Sequence, residues 1–142
     1  IQSSNLRGMR ITDMDVLFIS PGNSTGVYQD LSTKYAAIEP PTWALLLAES
    51  CRSIGYDVGI IDANAQQLSK EDVASMVKKL KPRLICFVVY GQNVNAGTTN
   101  MSGATLLSKE LKKQGVTIPI SFIGSHIQAL PVKTLKDENS ID

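Results

Sequence analysis

The stretch Asp15-Val-Leu-Phe-Ile-Ser-Pro-Gly-Asn23 decides the fold class. Val16 to Ile19 are apolar without interruption, and Val16 and Ile19 are β-branched, the pattern of a strand covered on both faces. Pro21 removes a backbone donor and pushes Ser20 towards extended geometry, while Gly22 and Asn23 tolerate unusual backbone angles. A buried strand that ends abruptly in small polar residues marks the position where open α/β sheets hold their ligands.

Working outward, Pro40-Pro41-Thr42 opens a helix with an inward stripe expected at Trp43, Leu47, Cys51 and Ile54, so that Trp43 belongs to the core, and with Gly55 as its stop. Val58–Ile61 predicts a second strand ending at Asp62. Ser69 is placed to cap a second helix, with Glu71 and Asp72 in its first turn, Lys78 and Lys79 in its last, and Val73, Met76, Val77 and Leu80 inward. Leu84–Val89 predicts a third strand, leaving through a small-residue polar loop from Tyr90 to Asn100. A third helix follows with Ala104, Leu107 and Leu111 inward and Gly115 beyond its end. Ile118–Ile123 predicts a fourth strand, tolerating Pro119 only near its start. Gly124-Ser125-His126 leaves that strand, and Pro131 begins a short fourth helix reaching about Lys136.

Strict alternation of strands and helices means a parallel sheet wound by right-handed crossovers, an α/β doubly wound fold. A fifth strand is expected where the chain reaches Ile141-Asp142, so residues 14–142 read as a domain cut from a longer chain or lacking its edge strand. Residues 1–13 show no periodicity and are read as a linker or an appended segment.

The chain has 142 residues, 43% of them apolar, and a formal charge of +1, the numbers of an ordinary single globular domain. That charge gives no case for nucleic acid or an anionic membrane surface, and the apolar runs are too short to span a bilayer. Cys51 and Cys86 sit in apolar surroundings and are expected to be buried free thiols, which suits a cytoplasmic setting. With one histidine and no close cysteine spacing, an all-protein zinc or iron–sulfur site is not expected.

The strand-exit loops Ser20–Gln29, Tyr90–Asn100 and Gly124–Leu130 converge on one rim, rich in amides, hydroxyls and glycine and nearly without charge. Dinucleotide binding would need glycines at fixed spacing before an early helix; Gly22 and Gly26 do not meet it, and the helix begins far too late. Asp62 can be the ribose-binding acid of such a site or a plain strand-end aspartate. The P-loop pattern is missing, and clustered carboxylates of a phosphoacceptor are missing at the first-strand exit. Ser125 adjoins His126, but sequence neighbours in a loop point apart and no acid is placed to orient them, so no catalytic residue is assigned. Neutral loops with glycine for close backbone approach suit a large, flat, amide-rich ligand.

Tyr28-Gln29, Pro40-Pro-Thr-Trp-Ala-Leu-Leu-Leu-Ala48, Gly55-Tyr-Asp-Val58, Ile61-Asp-Ala-Asn-Ala65 and Ile123-Gly-Ser-His-Ile-Gln-Ala-Leu-Pro131 occur in that order. Together they resemble the amino-terminal cobalamin-binding domain of cobalamin-dependent radical SAM proteins, the last segment being similar to that family's glycine-glycine-x-histidine loop. The resemblance covers the chain from about Met14 to its end. It implies a flavodoxin-like sheet of order 2-1-3-4-5, with the fifth strand truncated here, and a corrin lying across the carboxyl rim. The implied partners are cobalamin and a C-terminal radical SAM domain of the same parent chain, with a 4Fe-4S cluster and S-adenosylmethionine, in a methyltransferase-type enzyme.

Three departures from the family pattern qualify that picture. Ile123 replaces the first glycine of the fourth-strand loop, and Gly22 replaces a proline common after the first strand. The aspartate-x-histidine-x-x-glycine signature of the methionine-synthase type is missing, Ser20–Gly26 occupying the loop that would carry it. The resemblance therefore implies cobalamin held without a histidine ligand, by Ser20, Pro21, Gly22, Asn23, Tyr28, Gln29, Tyr90, Gly91, Gln92, Asn93, Thr98, Thr99, Gly124, Ser125 and His126. The alternatives are a nucleotide or sugar-nucleotide domain using Asp62, and a degenerate cobalamin domain serving as an interaction module.

Overall fold

The computed structural model describes residues 14–22, 40–90 and 94–142, the residues 94–99 as backbone alone. Four short strands form its centre: β1 (Val16–Ser20), β2 (Val58–Asp62), β3 (Leu84–Val88) and β4 (Ile120–Ile123). All pairings are parallel, in the order β2-β1-β3-β4, with Phe18 opposite Ile60 and Cys86, and Phe87 opposite Phe122. The helices are α1 (Thr42–Ser53), α2 (Lys70–Leu80), α3 (Val94–Lys113), α4 (Ser125–Ala129) and α5 (Pro131–Asp137). This is the expected flavodoxin-like α/β fold, each strand joined to its parallel neighbour through at least one helix.

Side chains alternate across the sheet. Leu17, Ile19, Ile61, Ile85, Phe87, Ile120 and Phe122 pack with Val73, Ala74 and Val77 of α2 and Ala104, Leu107 and Leu111 of α3. Phe18, Cys86 and Val88 point the other way, under Ala44 and Ala48 of α1. The i, i+4 alanine pair lets the α1 backbone lie close to the sheet. It also corrects the expected stripe. Leu47 and Cys51 are partly buried beside the alanines, but Trp43 is 49% exposed and Ile54 74% exposed. The helix is rotated so that the small residues, not the tryptophan, face the core.

The termini of α1 and α2 follow the sequence signals. Gly55 adopts φ +97° and its N–H donates to Arg52 O, ending α1. Ser69 caps α2 in a reciprocal box: its Oγ accepts from the Asp72 N–H at 3.1 Å, and Asp72 Oδ2 accepts from the Ser69 N–H at 3.1 Å. Ser69→Ala is expected to destabilise the chain by about 1 kcal/mol and lower the melting temperature by about 3 °C. Calorimetry checks this; an unchanged transition would mean that α2 is held by its packed face alone.

Two boundaries differ from expectation. The third helix begins at Val94, so Thr98 and Thr99 lie on α3 and not on a loop. Asn, Thr and Gly are weak helix formers, and here tertiary anchoring overrides propensity: the Asn100 Nδ2 donates to the Tyr90 carbonyl at 2.9 Å. The fourth strand begins at Ile120, and Pro119 stands just outside it with its carbonyl accepting from the Ile85 N–H.

Where a fifth strand was expected, the Asp142 N–H donates to Ile120 O at 2.9 Å, on the edge of β4. The Asp142 carboxylate accepts from Lys112 Nζ at 2.6 Å and from the Ile120 N–H at 3.0 Å, and these contacts, Lys112 first, hold its pKa below the ordinary carboxylate value. A depressed folded pKa means that the contribution of Asp142 is complete above the unfolded value of about 4 and is lost as pH falls through the folded one. Amide exchange at Ile120, taken relative to the rate of an unstructured amide at the same pH, should therefore rise on acidification below about pH 4, and Lys112→Ala should raise it already at neutral pH. Exchange that is insensitive to both changes would show that the carboxylate does not hold this edge.

Candidate functional site

The carboxyl ends of the strands bring the β1 exit, the β3 exit and the β4 exit to one rim. At the first, the Ser20 carbonyl accepts from the Ala63 N–H at 3.0 Å, tying the turn to the end of β2. Pro21 is buried and Gly22 half-buried. The Gly22 carbonyl oxygen lies where a Cβ on Gly103 of α3 would sit, so the glycine in α3 admits the turn. Gly103 was not singled out from the sequence; a glycine inside a helical stretch with no turn to make is the signal that marks such a close approach.

At the second exit, Tyr90 follows β3 and is held by neighbours from three helices. Its ring stacks on Trp43 of α1, with centroids 4.7 Å apart and planes at 26°. Its hydroxyl accepts from Gln128 Nε2 of α4 at 3.1 Å, and its carbonyl accepts from Asn100 of α3. Trp43 and Gln128 were missing from the residues expected at the site. Both lie within the stretches that carry the family resemblance, but an amphipathic pattern reads an apolar residue in a first helical turn as core, and a glutamine on a short helix carries no pattern.

At the third exit, Gly124 is buried against the end of β3, where a Cβ would overlap the Val89 carbonyl oxygen. Ser125 and His126 are not in a loop, as expected, but in the first turn of α4, a short helix that precedes the one expected from Pro131. Ser125 is exposed and His126 half-buried. Of the other expected contacts, Asn23, Tyr28, Gln29, Gly91, Gln92 and Asn93 lie outside the described residues.

Asp62 is 8% exposed, with its Oδ1 accepting from the Ala65 N–H at 3.0 Å and its carbonyl from the Gln66 N–H. It is the strand-end aspartate that organises the turn after β2, and one of its oxygens is committed there, which weakens the nucleotide reading. Cys86 is a buried free thiol whose pKa is pushed up by burial, so it stays protonated at neutral pH and is neither a ready nucleophile nor a ready ligand. Cys51 is also free, but only partly buried. Among the described residues no group of three or more His, Cys, Asp or Glu side chains is arranged to hold a metal ion, and no helix is long and apolar enough to cross a membrane.

A neutral rim, built from glycine-dependent close approaches and an aromatic stack, can hold a large uncharged surface by contact and hydrogen bonds; among the described residues it has no assembled acid–base pair or nucleophile. Comparison with known proteins narrows the ligand class. The chain is 26% identical over 129 residues to an uncharacterized methyltransferase of Pyrococcus horikoshii. The matched stretch covers 91% of this chain but 26% of the relative, so the chain spans about a quarter of the length of that curated protein. No solved structure matches this chain. The family model described as "B12 binding domain" matches residues 28–142, most of the chain and all three strands after the first, and the chain therefore belongs to the B12-binding domain family.

Proposed function

We propose that this chain is the cobalamin-holding module of a radical SAM enzyme of methyltransferase type, and that it supplies no catalytic residue of its own. The observation that carries the cobalamin part is the family match over residues 28–142. The rim supports it on its own terms. A bulky, amide-fringed macrocycle needs a surface without competing charge and with backbone close to the ligand, and Ser20–Gly22, Tyr90 and Gly124–His126 provide that at the ends of adjacent strands.

When bound, cobalamin supplies the one-carbon transfer chemistry; the chain's residues bind, orient and shield it. Ser20, Pro21 and Gly22 form a neutral floor at the end of β1, fixed by the Ala63 hydrogen bond and by Gly103 behind it. Gly124 keeps the β4 exit tight against β3, so that Ser125 and His126 are presented from a fixed backbone. His126 is the sole imidazole of the chain and belongs to α4, not to the β1 exit, which supports cobalamin held without histidine ligation.

The radical SAM partner, with its 4Fe-4S cluster and S-adenosylmethionine, rests on the family resemblance of the quoted segments and on the methyltransferase named in the relative, which is far longer than this chain. A CxxxCxxC motif in the parent reading frame would support that half of the proposal, and a parent frame without one would remove it.

The test of the cobalamin half is direct. Purified chain mixed with hydroxocobalamin should retain the corrin through gel filtration and shift its visible spectrum. After reduction, the paramagnetic spectrum should lack coupling to a histidine nitrogen and be the same in His126→Ala. Passage of the corrin in the free volume overturns the reading. A histidine coupling that disappears in His126→Ala overturns the unligated mode while leaving cobalamin binding in place.

A further inference from the structure

We infer that Trp43 and Tyr90 form an aromatic platform against one flat face of the corrin, and that Gln128 is the residue that positions it. The inference rests on the cobalamin reading and extends it to Trp43 and Gln128, which the sequence did not bring forward as site residues.

Trp43 is the sole tryptophan of the chain, and it lies half-exposed in the first turn of α1 while Ala44 beside it is buried. Leaving about half of the largest apolar side chain in water forfeits much of the burial energy it can contribute. The orientation is nevertheless held. Tyr90 stacks beneath it, and Tyr90 is itself fastened at both ends, by Gln128 at the hydroxyl and by Asn100 at the carbonyl. A surface aromatic that only covers the edge of a core does not require a partner pinned from two further helices. A ring that must meet a flat ligand does, because rotation lost before binding is not lost during it.

The chemistry matches a macrocycle better than a charged ligand. Both rings, the Gln128 amide and the Asn100 amide are neutral. The pair stands at the β3 exit, next to the β1 strand in the sheet and therefore at the rim already assigned to the ligand. Gln128 does not need to touch the corrin. Its role is to stop the Tyr90 ring from turning away from Trp43.

Equilibrium dialysis with hydroxocobalamin on the full 142-residue chain tests this, alongside near-ultraviolet circular dichroism of each variant without ligand. Trp43→Ala is expected to weaken binding about tenfold, with Trp43→Phe keeping most of the affinity. Gln128→Ala is expected to weaken it about fivefold and to diminish the dichroism of the Trp43–Tyr90 pair. Gln128→Glu, which accepts a hydrogen bond from the Tyr90 hydroxyl, should recover the dichroism and most of the binding. Both Trp43→Phe and Gln128→Ala alter exposed side chains, so a folding failure of Trp43→Ala leaves the test intact. If the unaltered chain retains corrin while Trp43→Phe, Gln128→Ala and every folded Trp43→Ala sample bind it equally well, the platform is wrong and the cobalamin reading stands. If the unaltered chain retains none, both fall together.

Discussion

Gly124→Ala should destabilise the chain by about 3 kcal/mol and abolish most corrin retention with it. The added Cβ would overlap the carbonyl oxygen of Val89 and lie 2.7 Å from its carbonyl carbon. These are backbone atoms, so no side chain can swing aside. The same Val89 donates its N–H to the Ile123 carbonyl at 2.7 Å, which locks the two strand exits together. Relief requires β4 and α4 to move, and that movement carries Ser125, His126 and Gln128 away from the rim. Gly124 has φ 163°, extended backbone open to any residue, so the requirement is for space alone.

Gly22→Ala is the matched control. Its Cβ would meet Asn64 at 3.4 Å, an ordinary contact, and the expected loss is below about 0.5 kcal/mol. Urea denaturation of the two variants decides the matter. Equal losses would show that close approach at the β4 exit is not what selects glycine there.

Phe87→Ala is expected to remove about 4 kcal/mol, a large part of the roughly 5–15 kcal/mol that holds a domain of this kind together. Phe87 is fully buried in the centre of the sheet, and its ring meets Phe122 of the neighbouring strand edge-on, with centroids 5.2 Å apart at 60°. Truncation removes apolar contact from the face packed on α2 and α3 and leaves a cavity that regular strands cannot collapse to fill. Phe87→Leu keeps much of the volume and should lose less than half as much. The midpoint should fall with little change in the denaturant slope. A loss below about 1 kcal/mol would mean that the surrounding side chains repack freely, contrary to the two-sided enclosure of β3.

The two variants separate what was legible from what was not. That Phe87 lies in a buried strand could be read from Leu84–Val89, because an unbroken apolar run has one economical destination in an α/β chain. That Gly124 is required for space could not, because its nearest obstacle belongs to a residue 35 positions earlier in the chain. The same distinction runs through the rim. Ser69 and Gly55 act on groups within a few residues of themselves, and both were placed correctly from local chemistry. Trp43 was misread because its neighbours decide its direction: Ala44 and Ala48 settle against Phe18, Cys86 and Val88, and the tryptophan is carried round to the rim.

By itself, then, the sequence determined the parallel α/β sheet, the order of its strands and of every helix but α4, the inward faces of α2 and α3, and the neutral character of the exit loop after β1. Those properties follow from periodicity, caps and composition, which act over a few residues. The tertiary structure alone decided that α3 starts at Val94, that Gly103 and Gly124 admit the backbone of distant strands, and that Trp43, Tyr90 and Gln128 meet. Each of these depends on contacts between segments far apart in the chain, and no local pattern of apolar and polar residues encodes which atoms will face one another across a sheet. The opening stretch shows both sides at once. Val16–Ile19 announces its burial in its own residues, whereas the Ser20–Gly22 turn owes its seat to Ala63 and Gly103.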